Sequence, residues 1–371
     1  MTSEWILATG GAGYIGSHVT AELLAAGYHV VVLDNFENSE PGVLDRINSL
    51  GHGRALLLRG DVRHFRTVEC VLRQFKISAV IHLAGKKSVG ESVADPLLYY
   101  RDNLDGALTL FHAMRATGVN RLVFSSSATV YGIPERLPID ETASTGPTSP
   151  YGRTKLMIEE IIDDMVAAHS EISAVSLRYF NPVGAHRSGL LGEEPRGIPN
   201  NLFPYVAQTA TGQRRAVQVF GNDYATSDGT GLRDYIHVVD LARGHIAAID
   251  HLLDTDEATG RHRRINLGTG RGYTVLEVIA AFSRACGHDI PFEIVSRRPG
   301  DVAASLADPS RARELFGWQA ECGLEEMCRD HWAFQSRRTT DRVRPLRAPE
   351  GVVLRRAVDG DRVAAHVPSF A

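Results

Sequence analysis

Trp5-Ile6-Leu7-Ala8-Thr9-Gly10-Gly11-Ala12-Gly13-Tyr14-Ile15-Gly16 opens the chain and decides its fold. The first four residues form an apolar run of strand length. Val19 to Leu24, just past the glycines, carries the apolar periodicity of a helix. Between them Gly10, Gly13 and Gly16 follow a G-x-x-G-x-x-G spacing, a relative of the dinucleotide fingerprint G-x-G-x-x-G. Gly10 permits the tight turn, Gly13 lets backbone approach a pyrophosphate, and Gly16 lets helix pack on strand. The helix N-terminus adds N–H donors and a positive dipole end for the phosphates. A second strand, His29 to Leu33, ends at Asp34, roughly 20 residues past the glycines, where an acid meets the adenosine ribose hydroxyls. Asn35 rather than Arg follows it, so a 2′-phosphate is repelled and NAD is expected over NADP.

Outward from this unit, strand-like runs alternate with helix-like ones. Arg54 to Leu58, Ala79 to Leu83 and Arg121 to Phe124 read as strands, and Val68 to Phe75 and Leu104 to Ala116 as helices. The alternation predicts an α/β fold with a doubly wound, Rossmann-like parallel sheet. Asp61 follows the third strand and Ala84-Gly85 the fourth, both at the carboxyl edge where ligands bind. From Asn181 the texture turns to Gly, Pro and Asn clusters, the mark of a smaller mixed α/β binding lobe. The expected division is a dinucleotide-binding domain over 1–181, with 233–258 packing back on it. Residues 182–232 and 259–338 form the second lobe. Within these, Ile236 to Ile249 reads as a helix and Arg264 to Leu267 as a short strand. Residues 339–371 stand apart, as a frayed tail or a β-hairpin over 351–367 with an Asp359-Gly360 turn.

Composition narrows the function. The chain has 371 residues and is 43% hydrophobic, enough for a large core and two lobes. Net charge is −4 with no basic run, which argues against nucleic acid as the main partner. No apolar stretch approaches the ~20 residues that span a membrane, and no signal peptide is evident. Cys70, Cys286, Cys322 and Cys328 lack metal-type spacing, so no metal is expected, and reduced thiols in a cytoplasm are the default.

The chemistry lies further on. In Tyr151-Gly152-Arg153-Thr154-Lys155 the Tyr and Lys stand four apart, on one helix face. An ammonium beside a phenol stabilises the phenolate and lowers its pKa from about 10 towards neutrality. A tyrosine so tuned takes a proton from an alcohol near pH 7. Phe124-Ser125-Ser126-Ser127 ends a strand on the ligand edge, and a serine hydroxyl there completes a Ser–Tyr–Lys set.

At this point the chain resembles the extended short-chain dehydrogenases/reductases, and within them the UDP-glucose 4-epimerase family. The matching segments are T-G-G-A-G-Y-I-G-S-H at residue 9, L-D-N at 33, G-D-V-R at 60 and A-G-K-K-S-V-G-E-S at 84. They continue with S-S-S-A-T-V-Y-G at 125, S-P-Y-G-R-T-K at 149 and R-Y-F-N-P-V-G-A-H at 178. The more specific ones come later: G-I-P-N-N-L at 197, F-G-N-D-Y at 220, D-G-T-G-L-R-D-Y-I-H-V at 228 and R-R-P-G-D at 297. Coverage runs from about residue 5 to 338.

The resemblance implies a reaction: oxidation of carbon 4 of a UDP-hexose by tightly bound NAD, rotation of the 4-keto sugar, and reduction on its other face. It implies Ser127, Tyr151 and Lys155 as the catalytic set. NAD would be held by Gly10, Gly13, Tyr14, Ile15, Gly16, Asp34, Asn35, Asn38, Ser39, Asp61, Val62, Leu83, Ala84, Gly85, Lys87, Asn103 and Phe180, with the catalytic three. The UDP-sugar would meet Ser127, Tyr151, Asn181, Asn201, Leu202, Gln218, Val219, Phe220, Arg233, Arg298, Asp301 and Ser305. Arginines suit the diphosphate because a guanidinium grips it bidentately. The resemblance also implies a part in galactose metabolism and a homodimer formed through helices near 104–116 and 155–168.

Two positions depart from the family's pattern. Asp102 stands where Asn is usual, altering a hydrogen bond on the nicotinamide side, and Lys86 replaces an apolar residue, altering charge near the diphosphate. A third position bears on substrate range. Four residues after Asp301 the family has either a bulky Tyr or a small side chain, and small ones go with N-acetylated sugars. Ser305 therefore points to UDP-GlcNAc/UDP-GalNAc as well as UDP-glucose/UDP-galactose. Rival readings are a nucleotide-sugar 4,6-dehydratase, a pentose 4-epimerase, or a non-catalytic NAD-sensing protein. Dehydratases place Asp-Glu directly after the catalytic Ser/Thr, where this chain has Ala128-Thr129. Decayed, non-catalytic relatives commonly lose the Tyr or Lys, and both are present here.

Overall fold

The computed structural model describes residues 4–195, 199, 201–254, 260–298 and 301–343. In chain order the strands are β1 (Trp5–Thr9), β2 (His29–Asp34), β3 (Leu56–Arg59), β4 (Ala79–His82), β5 (Arg121–Ser125), β6 (Ser173–Tyr179), β7 (Asn181–Val183), β8 (Val217–Phe220), β9 (Leu232–His237), β10 (His262–Leu267), β11 (Gly272–Thr274), β12 (Phe292–Val295) and β13 (Ala304–Ser305). The helices are α1 (Tyr14–Ala25), α2 (Val43–Asn48), α3 (Phe65–Gln74), α4 (Val89–Ala94), α5 (Pro96–Tyr99), α6 (Asp105–Thr117), α7 (Pro150–Ala168), α8 (Leu202–Ala210), α9 (Val238–Asp254), α10 (Val275–Cys286), α11 (Ser310–Phe316) and α12 (Leu324–Val343). One π-turn, Tyr100–Leu104, leads into α6.

Seven parallel strands form the main sheet in the order β10-β6-β5-β4-β1-β2-β3. Its strands read as continuous apolar runs because both faces are covered. Ile6, Ala8, Val30 and Val32 point into one core, and Leu7, Val31 and Leu33 into the other. Helices α1 and α9 pack together over the first face, while α3 and α6 pack over the second. The order reverses beside β1, between β4 and β2. In open α/β sheets the crevice at such a switch point is where ligands bind.

The second lobe has a third core of its own, with Val183, Phe203, Val219, Tyr235, Phe282 and Met327. It holds a small sheet, β11-β9-β13 with β7 beside β9, and the pair β8–β12. Helix α10 begins on a capping box, Thr274 with Glu277, and ends at Gly287 in the left-handed region.

Several expectations need correction. Ile236 and His237 are strand, not helix: they pair with Pro182 and Val183 of β7, and α9 starts only at Val238. The β9 segment at 232–237 thus pairs within the small sheet, while its Ile236 also packs into the first core. Residues 262–267, expected in the second lobe, are the edge strand β10 of the main sheet, in register with Ala174 to Tyr179. Ala312 and Trp318 also join the first core. Pairing partners far away in sequence decide these placements, and a local pattern carries no trace of them. Other shifts are at element ends: the strand expected over Arg54 to Leu58 is Leu56–Arg59, and the helix expected over Val68 to Phe75 is Phe65–Gln74. Helix α12 continues through 339–343 to Val343. The hairpin expected over 351–367 lies outside the described residues.

No helix among the described residues is long and apolar enough to cross a membrane. All four cysteines are free thiols.

Among the buried histidines, burial holds four imidazoles neutral: His18 and His82 at about 3, His245 and His331 at about 4. Unfolded, each takes up a proton near pH 6.5. Between pH 6.5 and 4 the unfolded chain therefore binds more protons than the native one, and stability falls as the pH falls. Each histidine contributes up to about 1.4 kcal/mol per pH unit in that window. The melting temperature should hold above pH 7 and drop steeply from pH 6 to 5; a flat profile there would contradict this assignment.

Candidate active site

The crevice is built from the carboxyl ends of β1, β2 and β4. Gly10 turns with φ +72°, and a Cβ on it would lie 2.7 Å from Ala84 N, so the loop after β4 presses on the turn. A Cβ on Gly16 would stand 2.2 Å from Gly10 O: Gly16 seats α1 on the glycine turn itself, more than on a strand. Helix α1 begins at Gly13 with no capping side chain, so its first N–H groups remain for a ligand. Asp34, at the end of β2, accepts from Ala12 N (3.0 Å), Phe36 N (2.8 Å) and Ser39 Oγ (2.8 Å), which fixes its carboxylate beside the glycine loop. Asn35 donates to Asp61 Oδ2 at 3.2 Å. Burial works against the Asp61 carboxylate, but the hydrogen bonds of Arg63 hold it well below the usual range.

Asn103 is buried. Its Oδ1 accepts from Lys86 N (2.8 Å), and its Nδ2 donates to Lys86 O (3.2 Å) and Thr154 Oγ1 (3.0 Å). It pins the post-β4 loop, holding Leu83, Ala84 and Gly85 against the crevice. Asp102, its neighbour, lies instead against Arg63, Arg101 and Lys86.

Tyr151 and Lys155 share one face of α7, and both are buried. Ser149 caps that helix by accepting from Gly152 N, with Pro150 in the first turn. Of the three serines after Phe124, Ser125 meets His245 Nε2 (2.9 Å) and Ser126 donates to Glu159 Oε1 (2.5 Å). Ser127 accepts from Thr129 Oγ1 (3.0 Å), and its hydroxyl lies near enough to the Tyr151 phenol to lower its pKa. The Tyr151 ring meets Tyr99 edge-on, centroids 6.4 Å apart.

The electrostatics differ from the expectation drawn from spacing. Burial pushes the Tyr151 phenol up to about 12, and only the Ser127 hydroxyl pulls it down. Lys155 does not reach the phenol oxygen. Its Nζ donates to Ser125 O at 2.8 Å and lies 5.8 Å from the tyrosine ring centroid. Burial also lowers the Lys155 ammonium to about 8, with Glu159 acting the other way.

Behind the set lies a buried polar network that the motifs did not reveal. Glu159 accepts from Arg178 Nε (3.0 Å) and Nη2 (2.5 Å), from Arg264 Nε (3.2 Å) and from Ser126. Arg178 also donates to Tyr131 Oη (3.1 Å), which donates to Asn266 (2.7 Å). Glu159 stands four residues after Lys155, a same-face spacing that was available to find it.

The second-lobe residues gather in two groups. Arg298 lies over the Phe220 ring at 4.3 Å, and Arg233 Nη2 is 3.6 Å from Asp301 Oδ1. Ser305 pairs with Arg233 in adjacent strands. Along β8 the side chains alternate, so Gln218 and Phe220 face outward while Val219 packs in the core and offers only backbone. In the other group Lys87 Nζ (2.9 Å) and Asn201 Nδ2 (3.1 Å) both donate to Glu193 Oε1, and the Tyr14 hydroxyl donates to Gly184 O (2.8 Å). Asn201 opens α8, just before Leu202. Glu193 is buried and was not anticipated; nothing in its local sequence distinguishes it. Asn181 is exposed at the start of β7, and Phe180 is buried next to it, in a cluster with Val130 and Tyr131. Asn38 is exposed in the loop after β2, and Val62 lines the start of the post-β3 loop.

Comparison with known proteins adds names to this geometry. The family model for GDP-mannose 4,6 dehydratase matches residues 7–331. A UDP-glucose 4-epimerase of Bacillus subtilis is 53% identical over 331 residues, 89% of this chain and 96% of that one. The human UDP-glucose 4-epimerase is 53% identical over 340 residues, covering 90% and 97%. Among solved structures, a Bifidobacterium longum UDP-glucose 4-epimerase in complex with NAD+ and UDP superposes with a TM-score of 0.86. It is 50% identical, over 90% of this chain and 99% of that one.

Proposed function

The chain belongs to the UDP-glucose 4-epimerase family, and from that premise we propose that it inverts carbon 4 of a UDP-hexose with tightly bound NAD. One observation carries the reading. Ser127, Tyr151 and Lys155 converge at the carboxyl edge of a sheet whose first turn is a glycine cradle. The cradle fits a dinucleotide: its tight turn closes against α1 and the post-β4 loop only because Gly10 and Gly16 carry no Cβ, and the uncapped start of α1 offers N–H groups to a pyrophosphate. Asp34, fixed at the end of β2, accepts from ribose hydroxyls. When bound, NAD supplies a two-electron acceptor for carbon 4 and a positive charge that favours an ionised phenol.

The chain's own residues do the rest. Tyr151 takes the proton of the 4-hydroxyl and later returns it, so it must act in both directions. Ser127, beside the phenol, orients that hydroxyl. Lys155, held on Ser125 O, adds a buried positive charge next to the phenol. The nucleotide is gripped by Arg233, Arg298, Phe220, Asn201 and Asn181, leaving the sugar free to turn between the two half-reactions. The matched dehydratase family does not alter this reading. A dehydratase needs a second acid–base pair after the serine, and here Ala128 carries no such group while Thr129 hydrogen-bonds Ser127.

Sugar range follows from Ser305. A short side chain next to Arg233 leaves room beside the sugar, so N-acetylated sugars are expected as substrates too. Incubation with UDP-galactose and with UDP-GalNAc, no NAD added, tests both points. Turnover of UDP-galactose is expected from retained cofactor. No turnover of either sugar would sink the proposed function, whereas activity on UDP-galactose alone would sink only the wider range.

A further inference from the structure

The two departures from the family's pattern meet in the fold. Lys86 Nζ lies 3.9 Å from Asp102 Oδ2 and 2.6 Å from Glu37 Oε1. Asp102 Oδ1 accepts from Arg63 at 2.5 Å and Arg101 at 2.9 Å. An extra positive charge at 86 is therefore answered by an extra negative one at 102. The ammonium then reaches on to a second partner across the crevice.

That second contact spans a particular gap. Glu37 sits in the loop after β2 and Lys86 in the loop after β4, and these two strands flank β1 in the sheet. A bond between the loops therefore passes over the carboxyl end of β1, above the glycine turn. Both ends are anchored. On one side Asn103 holds Lys86 N and O; on the other, Asn35 Oδ1 accepts from Glu37 N at 3.0 Å and Asp34 Oδ1 from Phe36 N. Phe36 adopts φ +61°, so this loop is held in a left-handed turn that sets the direction of the next residue.

We infer that the Lys86–Glu37 ion pair is a clasp across the dinucleotide crevice, which must open before the cofactor leaves. The inference rests on the reading that NAD lies on the glycine turn. Lys86 thereby acts on cofactor retention through Glu37, and Asp102, itself held by Arg63, lies on the other side of its ammonium. The Glu37 side chain is 54% exposed, so the bond is screened by salt and its contribution is modest.

The test is the rate at which bound NAD exchanges with labelled NAD in the purified protein. For the wild type, raising salt from about 50 to about 500 mM should accelerate exchange about threefold. Lys86→Leu and Glu37→Gln should each exchange about threefold faster at low salt, respond little to salt, and give no further gain when combined. Variants that hold NAD as firmly as the wild type would overturn the clasp while leaving the proposed function intact. An effect of Lys86→Leu without one of Glu37→Gln would also overturn it, placing the lysine on the dinucleotide directly. Wild-type protein that neither contains nor exchanges NAD would sink the clasp and the cofactor reading together.

Discussion

Tyr151→Phe is expected to lower turnover about a thousandfold, the scale of a lost general acid–base group, and to leave bound NAD in place. The substitution keeps the ring that meets Tyr99 edge-on and removes only the phenol oxygen beside Ser127. Burial pushes this phenol up to about 12, so the protein by itself holds Tyr151 protonated at neutral pH. The ionised form needed to accept the sugar's proton must then be favoured by charge brought in with the ligands, and Lys155 adds to it from behind. This gives two readouts that separate chemistry from structure. Turnover of UDP-galactose should collapse while the absorbance of retained cofactor and the melting temperature barely change. Turnover close to that of the wild type would remove Tyr151 from its assigned role, and loss of NAD together with activity would make the role structural.

The second large effect is on stability. Glu159→Leu is expected to cost about 3–5 kcal/mol, because it leaves the buried Arg178 without its carboxylate. Arg178 would keep only the Tyr131 hydroxyl, and Lys155, one turn away, would lose the nearest negative charge. Arg264 and Ser126 would each lose a partner as well. Glu159→Gln retains an oxygen acceptor at the same place, so its cost should be clearly smaller. Chemical denaturation of the two variants against wild type measures the difference. Equal and small losses, below about 1 kcal/mol, would show that the network is exchangeable packing rather than a paired charge.

What the sequence made legible was whatever the backbone demands locally. The glycine turn needs residues without Cβ, the strands buried on both faces need unbroken apolar runs, and Asp34 needs only to end its strand. Tyr151 and Lys155 were legible as a pair by helical spacing. Their electrostatics were not, because desolvation depends on everything packed around them: Tyr99, Ser127 and the end of β5 come from 24 to 52 positions before Tyr151 in the chain. The same limit hid Glu193, which becomes the meeting point of Lys87 and Asn201 only once the lobes are assembled. It also hid β10, whose run at 264–267 reads as a strand but has no local mark of which sheet it joins. Lys86 and Asp102 read as two separate oddities in the sequence, and only the fold shows them as neighbours.

Among the described residues the backbone passes repeatedly between the two sheets and their cores: after β6, between β9 and α9, between β10 and β11, ahead of α11, and again before α12. Neither lobe is a cassette. A single recombination joint at residue 181 would carry away a main sheet without its edge strand β10 and a second lobe without its frame. Inheritance of a new specificity by exchanging whole lobes is closed to this architecture. New sugars must be admitted by single changes at the crevice, at positions such as 305, while the stitched frame is kept entire.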